Sequence, residues 1–325
     1  MLIQFFKKNN PASFILLPLF ALVLWIPGFF SNHYSAAQTS MPFFDLFTNL
    51  IAYTPLIATI LAFLLVVGEA LLLNYIVNEN EVLSSQSFLP ALFYIVYMSN
   101  DKVKLSLNPM IFANLFILFA IYKLVSSYRK DAAFSQSFDA GLLFSIAMLF
   151  YLPSIVLFPL LGIGLLIFRA FNWREWLISF LGILLPISFV LIYYFWYDKM
   201  DTLIYEKVFY TIFREQLKLN YPTNYYFMLG FGWFIVLLSI GRLFRRLIGA
   251  TQKTKKGILF FIWVFVFGVL TLIIAPEVST KYMSFLAIPA CVFCANYFLR
   301  IKQQWWGELL IMVLLGTILV NHFFY

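Results

Sequence analysis

Long apolar runs recur along the whole chain and restrict it to one broad class of fold. Most of these runs have roughly 17 to 22 residues, which as a helix is the length needed to cross about 30 Å of hydrocarbon. Of the 325 residues, 63% are hydrophobic and 11% are charged, and the mean hydropathy is +0.91. This composition excludes a water-soluble globular domain. The sequence therefore predicts an all-α, polytopic membrane protein.

The apolar runs predict about eleven membrane-spanning helices in a single transmembrane domain, residues 1–325. The stretch 139–168 contains Pro153 and Pro159, so it can form two short spans, one kinked span or a re-entrant pair. The predicted spans are residues 12–30, 55–76, 88–99, 108–126, 139–154, 155–168, 177–197, 225–243, 257–275, 283–299 and 308–323.

The distribution of lysine and arginine predicts the orientation of the chain. If the N-terminus is cytoplasmic, fifteen of the 22 basic residues fall on inner segments, which is the usual bias. The C-terminus is then outside, and we expect the inner (plasma) membrane. The net charge of +8 mostly reflects this topology. The basic stretch "RLFRRLIGATQKTKK" is typical of a contact with anionic lipids, and nucleic acid is not an expected partner.

Two predicted outer segments, residues 31–54 and 198–222, are too long to be simple turns. The apolar residues of 198–222 recur at helical spacing, which predicts a helix lying flat at the membrane interface. It can be a loop that rests on lipid or a gate for a substrate. Residues 31–54 contain one acid, Asp45, and a lone aspartate in a loop is usually a cap or turn residue.

A few polar residues inside the apolar runs are candidates for function. Glu69 lies within "LLVVGEALLL", and an acid in a membrane span usually faces a cavity or a partner. It can couple protons or a substrate in a transporter, or form a hydrogen bond between helices. Cys291 and Cys294 form "CVFC" in an apolar span, where packing is the expected role. The chain has only two histidines, so we predict no metal centre built on several histidines.

Three stretches of sequence, with the order of the spans, carry a resemblance to a known class. They are "SNDKVKLSLNP", "AGLLFSIAMLFYLP" and "TKYMSFLAIPA". The sequence resembles the GT-C class of polytopic glycosyltransferases, which includes protein mannosyltransferases and enzymes that add aminoarabinose to lipid A. It is also similar to a group of bacterial envelope membrane proteins.

The resemblance implies transfer of a sugar from a polyprenyl-phosphate carrier at the outer leaflet. A carboxylate would deprotonate the acceptor hydroxyl, alone or with a divalent metal, and a cation would stabilise the departing phosphate. No other cofactor is expected, and the partners are a lipid-linked sugar or another membrane lipid. The candidate site residues are Asp45 as the catalytic base, Lys281, Tyr282 and Arg214 as phosphate or lipid contacts, and Asp101, Lys102 and Glu69 as cavity-lining residues.

The sequence departs from the GT-C pattern in three ways. Its first outer loop has one acid where many members have an adjacent pair, and no large outer domain follows the last span. The expected phosphate contact is a lysine, which lacks the bidentate geometry of the more usual arginine. Two alternatives therefore stay open: a non-catalytic subunit or scaffold with a membrane protein partner, and a transporter.

Overall fold

The computed structural model describes residues 2–7, 10–30, 41–51, 54–100, 102–209, 230–241, 249–274, 284–301 and 303–324. Within these ranges every regular element is a helix, which confirms the all-α class. Two 3₁₀ helices, Lys102–Leu105 and Leu152–Leu157, and a π-helical segment, Thr202–Phe209, accompany the α-helices. The α-helices are α1 (Leu2–Lys7), α2 (Pro11–Phe30), α3 (Pro42–Ile51), α4 (Pro55–Glu79), α5 (Leu89–Met98), α6 (Pro109–Ser126), α7 (Phe134–Phe150), α8 (Pro159–Phe168), α9 (Trp173–Trp196), α10 (Gly230–Gly241), α11 (Gln252–Ile274), α12 (Ser284–Leu299) and α13 (Gln304–Phe324).

Five of the described helices are long and apolar enough to cross a membrane. They are α2, α4, α6, α9 and the part Gln252–Thr271 of α11. The 25 residues of α4, for example, extend about 37 Å at 1.5 Å per residue. The chain is therefore a membrane protein. Each predicted span overlaps a helix, but the other helices are shorter, so the number of eleven spans stays a prediction.

The proline-containing stretch 139–168 forms two helices. Helix α7 ends at Phe150, the 3₁₀ helix Leu152–Leu157 follows, and Pro159 begins α8. Proline has no N–H to donate, so Pro153 and Pro159 are favoured at the starts of these elements and disfavoured within a continuous helix. With 10 residues, α8 extends only about 15 Å.

Helices α5 and α12 form the centre of the bundle. Nine of the ten residues of α5 and all sixteen residues of α12 are buried. Helix α5 packs against both α4 and α12. A helix that is apolar on every side is stable in such a position because no face has to meet water. These two helices are therefore fixed by their surroundings and can hold side chains in defined positions.

Helices α7 and α9 cross at two glycines, which allow their backbones to approach closely. A Cβ on Gly141 would lie 2.1 Å from the carbonyl oxygen of Ser179, and a Cβ on Gly182 would lie 2.4 Å from that of Phe138. Neither position can hold a side chain unless the helices move apart. Small residues are common at such crossings in membranes, where close packing stabilises helix pairs.

The outward face of α9 is covered by large apolar side chains. A soluble protein rarely exposes so continuous an apolar face. In a membrane protein the same face contacts lipid tails at no cost. The exposed residues include Phe180, Leu181, Phe189, Ile192 and Phe195.

The polar contacts between helix ends fall into two groups. The predicted outer segments contact one another through an ion pair between Asp45 and Lys207 and a 3.1 Å hydrogen bond from Asn321 Nδ2 to the carbonyl of Asn100. The predicted inner segments also contact one another, and the topology itself stays a prediction. Those inner contacts are Lys123 with Asp139 at 2.7 Å, Arg169 with Glu175 at 2.6 Å and Lys253 with Glu81 at 3.9 Å.

Candidate functional site

A narrow apolar groove lies between α5, α10, α11, α12 and α13. The groove has an empty volume of about 730 Å³, part of which is open to the surroundings. It is narrow, because only about 60 Å³ of this space lies far enough from the walls to admit a water molecule. Apolar clefts with a few polar groups are the usual form of ligand sites, and one this narrow suits a single hydrocarbon chain. The walls include Phe93, Trp233, Phe265, Leu286 and Leu314, with Tyr97, Asn100, Cys291 and Cys294 as the polar or polarisable members.

A buried lysine lies next to this groove. Lys104 belongs to the 3₁₀ helix that follows α5, and only 1% of its surface is exposed. Its Nζ atom lies 4.7 Å from the centroid of the Tyr97 ring, which is part of the groove wall. Cys291, another wall residue, lies near it. An aromatic face stabilises an ammonium group, so the Tyr97 ring is one of the partners that hold Lys104 beside the groove.

Three side-chain contacts hold the chain around Lys104 in place. The Trp25 indole donates a 3.1 Å hydrogen bond to the Ser99 hydroxyl, and Asn321 donates one to the carbonyl of Asn100. Asn108 then caps α6, because its side-chain oxygen accepts from two backbone N–H groups of the first turn at 3.2 Å. The segment between α5 and α6 is thereby attached to α2, α6 and α13.

Glu69 lies at the centre of a buried polar network that joins four helices. The Tyr94 hydroxyl of α5 donates a 2.8 Å hydrogen bond to Glu69 Oε2 of α4. The Asn114 amide of α6 donates at 3.4 Å both to the Tyr94 hydroxyl and to the carbonyl of Ser284 on α12. Glu69 and Asn114 are fully buried. Glu69 therefore makes the hydrogen bond between helices that was one of the two interpretations of its sequence.

Two acceptor atoms of this network lack a hydrogen-bond partner within the described residues. They are Glu69 Oε1 and Asn114 Oδ1, both fully buried. The backbone of Leu115 lies beside the Glu69 carboxyl. Buried polar atoms are almost always paired, so two orphan acceptors close to one tyrosine hydroxyl mark a place where a donor belongs.

Asp45 lies at the end of the bundle where the predicted outer segments meet. It is in the first turn of α3, where the helix dipole favours a negative charge. Its carboxylate forms an ion pair with Lys207 of the π-helical segment, and the Tyr194 ring of α9 lies near it. About a third of the Asp45 side chain is exposed, so the pair is accessible. Among the described residues, Lys207 is the cation that pairs with Asp45.

The other predicted site residues cannot be placed. Lys281, Tyr282, Arg214 and Asp101 lie outside the described residues. Lys102 begins a 3₁₀ helix, but its side chain also lies outside them. Asp45 and Glu69 are placed, and they contact different partners. The convergence of all seven residues on one cavity therefore stays a prediction.

The cysteines of "CVFC" are free and buried in α12, where both line the groove. Across the described ranges, no three His, Cys, Asp or Glu side chains come together in a way that could hold a metal ion.

Sequence reasoning missed four residues that the structure makes prominent. Lys104 and Lys207 fall on predicted outer segments, and no local pattern shows what a lysine packs against. Tyr94 and Asn114 had a usable signal: a polar group within an apolar run is costly in a membrane and needs a partner. The same argument that selected Glu69 could have selected Asn114 in "MIFANLFILF".

Residues 39–325 match the model of a family of unknown function, DUF6427. The chain belongs to this family. The matched DUF6427 region contains Asp45, Glu69, Lys104 and all of the groove walls. No curated protein and no solved structure gives a significant match.

Proposed function

We propose that this DUF6427 protein binds a phosphate-bearing membrane lipid, with one hydrocarbon chain in the groove and the phosphate at the end where Lys104 lies. The observation that carries the proposal is the contact between Lys104 and Tyr97. It sets a buried ammonium against the wall of a narrow apolar groove. A ligand that fits this arrangement has an apolar chain and an anionic end.

The affinity for such a lipid comes mainly from its charged end. The bilayer is as apolar as the groove, so moving a lipid tail into the groove yields little hydrophobic free energy. The groove walls therefore select the shape of the chain, and Lys104 selects the charge. A hydrogen bond between charged groups contributes about 1.5–3 kcal/mol. This corresponds to roughly a 10- to 100-fold preference for a phosphate over a neutral lipid of the same chain.

The test compares two lipids that differ only in charge. The full chain in nanodiscs is titrated with a polyprenyl phosphate and with the neutral polyprenol of equal length, and binding is counted by native mass spectrometry. We expect a 10- to 100-fold preference for the phosphate. The preference should disappear in Lys104→Met, which keeps a long apolar stem.

Lys199→Met is the matched control, because Lys199 is an exposed lysine outside the groove. This variant should retain the preference for the phosphate. Equal binding of both lipids by the unchanged protein would refute the proposal. An unchanged preference in Lys104→Met would remove Lys104 from the site.

The finer proposal is that the lipid carries a sugar that the protein transfers at the outer leaflet of the inner membrane. Asp45 would take the proton of the acceptor hydroxyl, the acceptor oxygen would bond to the sugar, and the bond from the sugar to the carrier phosphate would break. Lys207 supports this role, because the ion pair holds the Asp45 carboxylate in a defined position at the end of the bundle.

Transfer is measured with a radiolabelled sugar on a polyprenyl-phosphate carrier in membranes that contain the full chain. Asp45→Asn should abolish incorporation into acceptors and leave binding of polyprenyl phosphate unchanged. Transfer that persists in Asp45→Asn would exclude Asp45 as the base. Loss of binding together with transfer would point to a structural role for the ion pair.

A non-catalytic lipid-binding subunit is the second candidate, and one observation favours it. Asp45 pairs with Lys207 and lies near Tyr194, which packs on a small satellite cluster, whereas Lys104 adjoins the groove, whose walls do not include Asp45. A groove whose described walls include no carboxylate suits a protein that presents a lipid to a partner in the membrane. Lipid binding that depends on Lys104, without detectable transfer, would support it.

A further inference from the structure

We propose that Glu69, Tyr94 and Asn114 form a proton-binding site inside the membrane, with the proton carried by Glu69. The three side chains come from α4, α5 and α6, and a fourth helix, α12, joins through the Ser284 carbonyl. This site is separate from the lipid groove and does not depend on the lipid proposal.

The direction of the hydrogen bonds leaves room for one proton on Glu69. Asn114 donates to the Tyr94 hydroxyl, and Tyr94 donates to Glu69 Oε2, so the network ends on the carboxyl group. The other oxygen, Oε1, is fully buried and accepts no hydrogen bond from the described residues. A proton on Oε1 turns this atom into a hydrogen-bond donor. Asn114 Oδ1 belongs to the same network and lacks a donor among the described residues.

The surroundings favour the neutral acid over the carboxylate. An ionised carboxylate in an apolar interior is stable only when it is paired with a cation or fully hydrogen-bonded. None of the ion pairs among the described residues includes Glu69. The titratable groups that face the network are the Tyr94 hydroxyl and, beyond it, the Cys291 thiol, and both are neutral at pH 7. The nearby cation is Lys104, which lies near Cys291 and forms none of the hydrogen bonds of the network.

The position of the site gives the proton a means to act on the groove. Tyr94 lies between Phe93 and Tyr97 on α5, and Ser284 lies two residues before Leu286 on α12. Phe93, Tyr97 and Leu286 are groove walls. Loss of the proton leaves a buried anion bonded to Tyr94 of α5, one of the five helices that form the groove, so the protonation state can act on the position of α5.

The proposal is tested by infrared spectroscopy of the full chain in liposomes. At pH 7, where exposed carboxyl groups are ionised, we expect a C=O stretching band of a protonated carboxyl group that shifts in D₂O. The band should be absent from Glu69→Gln and should move to higher frequency in Tyr94→Phe, which removes one hydrogen bond. Absence of the band from the unchanged protein, or its persistence in Glu69→Gln, overturns the proposal.

A sodium site would use the same oxygen atoms, and the experiment distinguishes it. Thermal unfolding is measured in sodium and in choline salts. Equal unfolding temperatures support a proton site. A higher unfolding temperature in sodium that Glu69→Gln abolishes would assign the site to a cation and overturn the proton. Glutamine keeps the size of the side chain and an acceptor for Tyr94, so this variant should fold.

Discussion

The crossing of α7 and α9 predicts that an added methyl group at Gly141 destabilises the bundle. In Gly141→Ala the new Cβ would lie 2.1 Å from the carbonyl oxygen of Ser179, and ordinary contact requires about 3.4 Å. The atom in the way belongs to backbone, so no flexible side chain can move aside. The helices must therefore separate by about 1 Å at this point, and overpacking of this kind costs about 1–3 kcal/mol.

The two cysteines provide the assay. Cys291 and Cys294 are the only cysteines of the chain, and both are buried and free. Both thiols line the groove, so a thiol-reactive fluorescent dye that is too bulky and too polar to enter the groove labels the protein only when the core opens. A loss of about 1–3 kcal/mol in the free energy of unfolding should lower the temperature at which half of the protein is labelled by about 2–10 °C at a fixed heating rate. Gly68→Ala is the control, since a Cβ on Gly68 meets no atom within 4 Å.

The same reasoning applies to Gly182, whose added Cβ would lie 2.4 Å from the carbonyl oxygen of Phe138. The two substitutions act on one crossing, so the double variant should lose less stability than the two single variants lose together. Equal midpoints for Gly141→Ala and Gly68→Ala would refute the close approach of α7 and α9.

Three further predictions concern other polar contacts, and the same thiol assay measures each. Arg169→Met leaves the buried Glu175 carboxylate without its bidentate partner and should cost about 3–5 kcal/mol, whereas an unchanged midpoint would contradict the pair. A double-mutant cycle of Asp45→Asn and Lys207→Met should give only about 0.2–1 kcal/mol, because the pair is partly exposed, and a larger coupling would show a buried pair. Trp25→Phe removes one hydrogen bond and should cost about 0.5–1.5 kcal/mol beyond the effect of the smaller ring. The same substitution in a variant that lacks the Ser99 hydroxyl measures the effect of the smaller ring alone.

The positions of the helices could be predicted from the sequence, because a helix that crosses or adjoins lipid must be apolar over most of its length. The packing of the helices against one another could not be predicted from the sequence. Helix α5 is buried on nearly every side and α9 exposes a wide apolar face, yet both sequences are strongly apolar. In a membrane, residues that face lipid and residues that face the core have the same polarity, so hydropathy does not separate them.

The sequence shows which residues are unusual enough to be candidates for a site, but it does not show which side chains they contact. An acid in the first outer loop and an acid inside a span are visible in the sequence because each is unusual where it stands. The lysine beside Asp45 is 162 residues away, and only the tertiary fold brings it there. Lys104 likewise belongs to the polar stretch "SNDKVKLSLNP", but its burial against Tyr97 of α5 depends on the tertiary fold, which packs α2 and α4 against its 3₁₀ helix.

The central claim is that the groove beside Lys104 holds a phosphate-bearing lipid. The most direct measurement is photo-crosslinking in bilayers with a polyprenyl phosphate that carries a diazirine in its chain, followed by peptide mapping with mass spectrometry. The account predicts adducts on groove residues of α5 and α12, such as Tyr97 and Ala290, and their loss in Lys104→Met. Adducts spread over the outward face of α9, or adducts in the groove that Lys104→Met leaves unchanged, would contradict it.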